Sequence, residues 1–377
     1  RSPILFVNRK TRAFIANQNN LKRSFSKRGE IFIDTLPKSI NIANTAFNWD
    51  GIKWTMVMLP LPKDKHIRNN LIIHELFHSK QEKLGFKKLS EANNGHLDTY
   101  KGRLLLRLEL EALKKALQTK NKDKMRIYLM DAFQFRKIRQ ESDKVKISEN
   151  LLELNEGMAE YTSLFLSGRN DNEIKEHLIN SIDNFFKTKT FVRSFAYQTI
   201  PAYGYLMSKF IGKWHKEINV KSNLIDLFET KMSFSFKKSL DLKDIKNKEQ
   251  YNYANINDSE LEREKKRIIN KAKYEKMFLK EPVLKLTFEK MNISFNPNNL
   301  FTLDNYGTVY PTLRITDSWG VLIVNEGALL SSNWKNVKVT QPLKISDSLI
   351  EGKGWKLELN NTWKLVRSQL GFKVKKI

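Results

Sequence analysis

The chain has 377 residues, long enough for two domains, and its 40% apolar and 29% charged residues exclude wholesale disorder. Lysine and arginine total 67 against 41 acidic residues, a net charge of +26, and cysteine is absent. Disulfide frameworks, thiolate zinc fingers and cysteine nucleophiles are thereby excluded, and any metal must be held by nitrogen and oxygen.

No apolar run approaches the ~20 residues needed to cross a bilayer, and the densest, 55–61, is interrupted by Pro60. The chain begins at Arg1 rather than methionine, which with the lack of cysteine leads to the expectation of an exported protein: periplasmic, secreted or envelope-associated. Four prolines lie at or before Pro62 and four at or beyond Pro282, with only Pro201 between them. Proline breaks helix interiors, so the depleted middle is expected to be helical.

In chain order, residues 1–62 are expected to form short strands and turns, most clearly 31–34 and 51–61. Helices are expected over about 68–84, 97–119, 122–144, 148–167, 172–187, 198–217 and 258–278. Residues 236–280 are crowded with charge and read as a linker followed by a solvated helix. From Val283 the pattern turns to β, with strands over 283–288, 308–315, 319–324, 337–340, 355–359 and 363–366 separated by Gly, Asn, Asp and Ser. The expected class is α+β. The expected division is 1–235 (1–62 β-rich, 63–235 helical), 236–282 as charged linker and helix, and 283–377 as a β-rich domain.

Residues 74–78 read His74-Glu75-Leu76-Phe77-His78, an HExxH motif. On a helix, positions i and i+4 lie one above the other, so His74 and His78 can grip one ion. Zinc takes neutral imidazoles and leaves a position open, and Glu75 can take a proton from water activated there. Asn69 or Asn70 is the expected helix cap and Gly85 the expected stop. A third protein ligand is still needed. The metzincin pattern would place Gly and His where Gln81 and Leu84 stand, so it is excluded. A glutamate from a second helix is the other solution, and the best candidate is the segment Asn155-Glu156-Gly157-Met158-Ala159-Glu160-Tyr161.

HExxH followed by a helical NEGxAxY segment resembles the gluzincin metallopeptidases, the superfamily of the thermolysin and aminopeptidase N types. The resemblance implies a zincin-like catalytic domain binding Zn2+ through His74, His78 and Glu156, with Glu75 as general base. It further implies that Glu160 orients His74 by a hydrogen bond. The segment Phe195–Gly204 resembles the aminopeptidase YxKGA stretch, which points to Tyr197 as oxyanion donor, with Tyr203 as its rival. The 78 residues from His78 to Glu156 exceed the usual gap of the superfamily. The excess, about 96–144, is expected to be a helical insertion packed over the cleft. Independently of the resemblance, Glu149, Glu153, Glu156 and Glu160 form one acidic helix stripe whose repulsion a cation would relieve. Gly157 would allow close helix approach. The other histidines, His66, His96, His177 and His215, are expected to be surface residues.

The glutamate by which aminopeptidases of this superfamily anchor a free amine is missing from 51–60. This stretch is expected to be an edge strand that pairs with an extended peptide or protein substrate, favouring endopeptidase action. The rival function is a non-catalytic, metal-containing protein whose basic surface and β domain bind an acidic glycan or envelope component. Trp319, Trp334, Trp355 and Trp363 would then form a ligand platform; otherwise they are core. No helix-turn-helix, RNP or zinc-finger pattern is present, so no nucleic-acid partner is expected.

Overall fold

Asp50-Gly51 carries positive φ at both positions (51° and 86°), the geometry of a two-residue hairpin turn, and it organises the N-terminal sheet. The computed structural model describes residues 2–86, 89, 94–236, 249–296, 299–369 and 371–377. The strands flanking this turn are β5 (Thr45–Trp49) and β6 (Ile52–Leu59). With β1 (Ile4–Asn8), β2 (Ala13–Ala16), β3 (Ser26–Arg28) and β4 (Ile31–Thr35) they pair in the order β3-β4-β2-β1-β6-β5. Only the β1–β6 pair is parallel. The stretch expected to be an edge is therefore internal. β6 lies between β1 and β5, Trp54 to Val57 are fully buried, and among the described residues the outer strand on that side is β5, with β3 at the opposite edge.

The proline-poor middle is helical: α1 (Lys65–Lys80), α2 (Tyr100–Gln118), α3 (Lys122–Arg139), α4 (Asp143–Leu152), α5 (Met158–Leu166), α6 (Asp171–Phe185), α7 (Ala196–Ile211), α8 (Leu224–Met232) and α9 (Tyr253–Glu275). The short α8 has no counterpart among the sequence expectations. α1 starts earlier than expected because Asp64 caps it, accepting from the Ile67 N–H at 2.7 Å. Asn69 and Asn70 lie a turn inside the helix. Their side chains donate instead to the Ser167 carbonyl and to Glu160. Residues Glu153–Gly157 join α4 to α5 as a π-turn, so 143–166 is one helical run with a single widened turn.

The expected insertion over the cleft is instead the middle of the helical core. α2 packs against α3, α6 and α7, and Leu104, Leu105, Leu106, Leu108, Leu110 and Leu113 are completely buried. Its dense run of leucines needs covering on nearly every side, which a lid on a solvated cleft does not supply.

The chain divides into two units, one of residues 1–35 and 44–261, the other of 36–43 and 262–377. Both the expected boundary near 235 and the reading of α9 as solvated along its length need correction. Tyr253, Ile256 and Glu260 are buried, and Glu260 accepts from Arg103 Nε at 2.7 Å and Arg107 Nη1 at 2.8 Å, so the start of α9 is anchored in the first unit. Ile268 and Ile269 further along are exposed. Residues 237–248 of the expected linker lie outside those described.

The second unit contains two largely antiparallel sheets. One comprises β7 (Val283–Thr287), β9 (Phe301–Leu303), β10 (Gly307–Tyr310), β13 (Ala328–Leu330), β14 (Asn336–Thr340), β18 (Trp363–Ser368) and β19 (Gly371–Lys376). The other comprises β8 (Asn292–Phe295), β11 (Leu313–Asp317), β12 (Gly320–Val324), β15 (Pro342–Ile345), β16 (Leu349–Gly352) and β17 (Trp355–Leu359). Residues from both sheets share one apolar core that includes Trp319, Trp355 and Trp363, with Trp334 packed against it. The indole N–H of Trp319 donates to the Thr287 carbonyl and that of Trp355 to Thr340 Oγ1, each at 3.0 Å. Trp319, Trp355 and Trp363 are core rather than an exposed platform, and Trp334 is half-buried against them. The fold is α+β, and no described helix is long and apolar enough to cross a membrane.

Candidate metal centre

α1 lies against α5, and the two bring the HExxH and NEGMAEY segments together. His74 Nε2 and His78 Nε2 are 3.1 Å apart, and Glu156 Oε2 lies 3.4 and 3.3 Å from them. Among the described residues this is the one group of three histidine and carboxylate side chains able to hold an ion. The surrounding hydrogen bonds fix which ring nitrogen faces inward. His74 Nδ1 donates to Glu160 Oε2 at 2.9 Å and His78 Nδ1 to Gln81 Oε1 at 3.1 Å. Both Nε2 atoms are thus directed at Glu156, the tautomer arrangement of ligating imidazoles. Two imidazoles and one carboxylate are a donor set suited to zinc, so the residues fit the metal that the motif implies.

A further layer holds these three side chains. Gln81 Nε2 donates to Asn155 Oδ1 at 3.0 Å and Asn155 Nδ2 to Glu156 Oε1 at 3.1 Å, while Asn70 Nδ2 steadies Glu160 at 2.9 Å. Gln81 escaped the sequence reading because no local pattern marks it. It stands one turn beyond His78, on the strip its own helix turns toward α5.

Tyr197 rather than Tyr203 belongs to this centre. Tyr197 Oη donates to Glu156 Oε2 at 2.5 Å, and its ring stacks on His74 with centroids 5.3 Å apart. Tyr203 is completely buried and donates to Glu109 at 3.0 Å. Burial and the neighbouring Glu156 push the Tyr197 phenol well above its ordinary pKa, so it remains a proton donor.

Burial opposes charge on His74, yet hydrogen bonds to Glu156 and Glu160 raise its pKa to about 10. Burial likewise acts to raise Glu156, but the two histidines hold it well below the usual carboxylate range. The site therefore stabilises positive charge between these side chains, and protons compete with a metal for the same atoms. Glu75 behaves oppositely. Burial raises its pKa against the pull of His74 and His78, the direction that suits a proton acceptor.

Two cavities flank the centre and share His74, Glu75 and Tyr197. One, of about 390 Å³, runs past Asn44, Thr45 and Ala46 at the free edge of the sheet and past Lys53. The other, of about 220 Å³, is bounded by Ile67, Leu71, Arg169 and His177. No residue of α2 or α3 lines either. The edge residues 44–46 were missed because 51–61 was read without its hairpin partner; the Asp50-Gly51 turn is the signal that would have found them.

The remaining histidines divide. His66 Nδ1 lies 3.2 Å from the Ser167 carbonyl, and His215 packs beside Tyr161 and Trp214. His177 lines the smaller cavity. His96 departs from the surface reading, since its Nε2 lies 2.6 Å from the fully buried Glu149.

The acidic stripe expected to attract a cation is divided. Glu156 and Glu160 face the histidines, whereas Glu149 and Glu153 pair with Arg139 and Arg136. Gly157 behaves as expected, for a Cβ there would lie 2.8 Å from Ile200 of α7. No protein-family model, curated protein or solved structure matches the chain.

Proposed function

We propose that this chain is a zinc-dependent peptidase of gluzincin type that cleaves within peptides. The reading is carried by one observation: His74, His78 and Glu156 converge beside Glu75, in a cleft that runs past a free strand edge. When bound, zinc supplies Lewis-acid polarisation and makes water acidic enough to act near neutral pH.

The protein's own groups do the rest. An extended peptide laid along the edge of β5 gains main-chain hydrogen bonds, which place its carbonyl group beside Glu75. Glu75 accepts a proton from the attacking water as the C–O bond forms. It returns that proton to the amine nitrogen as the C–N bond breaks. Tyr197 Oη donates a hydrogen bond to the carbonyl oxygen as negative charge develops there. Among the described residues, the cavity along β5 offers Asn44, Thr45 and Lys53 but no carboxylate apart from Glu75 and Glu156. A free amine therefore meets no dedicated anchor among the described residues, which favours internal cleavage over removal of terminal residues.

Elemental analysis of the native chain and of Glu156→Ala, paired with a peptide-library screen, tests the proposal. Near-stoichiometric zinc that falls sharply in the variant, together with internal cleavage, is the expected result. Zinc held equally by both removes Glu156 from the ligand set. No zinc in either after reconstitution overturns the proposal.

A further inference from the structure

On the side of the helical run facing away from the histidines lies a second group of charges. Arg136 donates through Nη1 and Nη2 to the two oxygens of Glu153 at 3.0 and 2.8 Å, and through Nε to Glu109 at 2.7 Å. Arg139 holds both oxygens of Glu149 at 2.8 and 2.9 Å and also donates to Glu109. Thr199 Oγ1 adds a bond to Glu153 at 2.6 Å. All five ionic side chains are buried, and none lines either cavity at the metal centre. A buried ion cluster recovers by pairing roughly what it loses in hydration, so stability alone is a poor reason for it. What it positions is the better question.

The winding of the helix answers it. At about 100° per residue, Glu149, Glu153, Glu156 and Glu160 would share one stripe of an uninterrupted α-helix and face one set of partners. A π-turn takes in one extra residue, so the helix beyond it is rotated by about 100° relative to the helix before it. That offset lets Glu149 and Glu153 meet Arg139 and Arg136 while Glu156 and Glu160 meet His74 and His78. α7 holds both sides of the turn. Thr199 bonds Glu153, Tyr197 bonds Glu156, and Ile200 packs where Gly157 has no side chain.

We propose that Glu153, clamped by Arg136 and Thr199, is a positioning residue for the metal centre, keeping the turn π-wound so that Glu156 faces His74 and His78. The proposal rests on the zinc reading of that centre.

The test is the zinc dissociation constant of the full chain, measured by competition with a chromophoric chelator, beside the absorption spectrum of the cobalt-loaded protein and a thermal melt. Glu153→Gln is expected to weaken zinc by about 10–100-fold and to alter the cobalt spectrum. Thr199→Val, which removes one hydroxyl, should shift both in the same direction by less. Glu149→Gln removes an equally buried carboxylate one turn before the π-turn. It should lower the melting temperature and leave both metal readouts unchanged. Unchanged zinc affinity and cobalt spectrum in Glu153→Gln and Thr199→Val overturn the proposal. So does a loss in Glu149→Gln as large as in Glu153→Gln, which would show general destabilisation. If Glu153→Gln does not fold, Thr199→Val decides. A native chain that binds no zinc overturns both this proposal and the reading beneath it.

Discussion

In the unit formed by residues 1–35 and 44–261, side chains such as Glu109, Arg136, Glu149 and Glu153 are shut away from solvent. In the other unit, the buried polar side chains among the described residues are Asn41 and Thr316. The β unit is filled by Trp319, Leu322, Leu330, Val337, Ile350, Leu357 and their neighbours, a core whose cohesion follows from apolar area. The helical unit has an equally continuous apolar core, yet threads fixed charges through it. Charges are placed there at the cost of hydration and only with designated partners, so they mark where the fold serves geometry as well as stability. On that ground the chemistry is expected in the first unit.

The strongest attempt to break this contrast is Glu75→Gln. It should retain zinc and the fold while lowering peptide hydrolysis by about 10²–10⁴-fold, measured with a fluorogenic peptide and metal analysis. Unchanged activity with zinc still bound would show that the buried polar centre is not catalytic.

Glu149→Gln probes the charge cluster itself. Burial alone would raise the Glu149 pKa, but Arg139, with help from His96, holds it well below the usual carboxylate range. A depressed folded pKa means the stabilisation is complete above the unfolded value of about 4.3 and is lost as pH falls toward the folded one. Arg139 then keeps Glu109 but faces a neutral group in place of Glu149, which should cost about 3–5 kcal/mol at pH 7. The gap from the native chain should narrow below pH 4, as urea titrations at the two pH values would show. A gap that does not change with pH would contradict the assignment.

For the β unit, Trp319→Ala is expected to cost about 3–5 kcal/mol, read as a lower unfolding midpoint with zinc stoichiometry unchanged. Loss of zinc from the folded variant would blur the contrast between the units. The smallest effect is assigned to Gly157→Ala. The new Cβ, 2.8 Å from Ile200, forces α5 and α7 to shift at a cost of about 1–3 kcal/mol, and zinc affinity should fall with it. Stability lost without any change in affinity would mean that helix spacing does not govern the site.

Much of this was legible in the chain, wherever the deciding interaction is local. The i, i+4 spacing of His74 and His78 sets their common direction because α1 runs as an unbroken α-helix through both. Proline placement separates the helical middle from the β-rich ends. Asp50-Gly51 also marks its hairpin locally, though only the paired strands reveal that β5 and not β6 holds the free edge.

What the tertiary structure alone decided is the choice of partners. Residues 149, 153, 156 and 160 have the spacing of one stripe, and nothing in that spacing announces a π-turn that sends two carboxylates to Arg136 and Arg139 and two to His74 and His78. Gln81 joins the centre because α1 meets α5, and Glu260 is buried because Arg103 and Arg107 reach it from 157 and 153 residues away in sequence. Local backbone preferences are encoded within a few residues and can be read from them. The pairing of buried charges depends on which distant segments the apolar core draws together, and packing alone settles that.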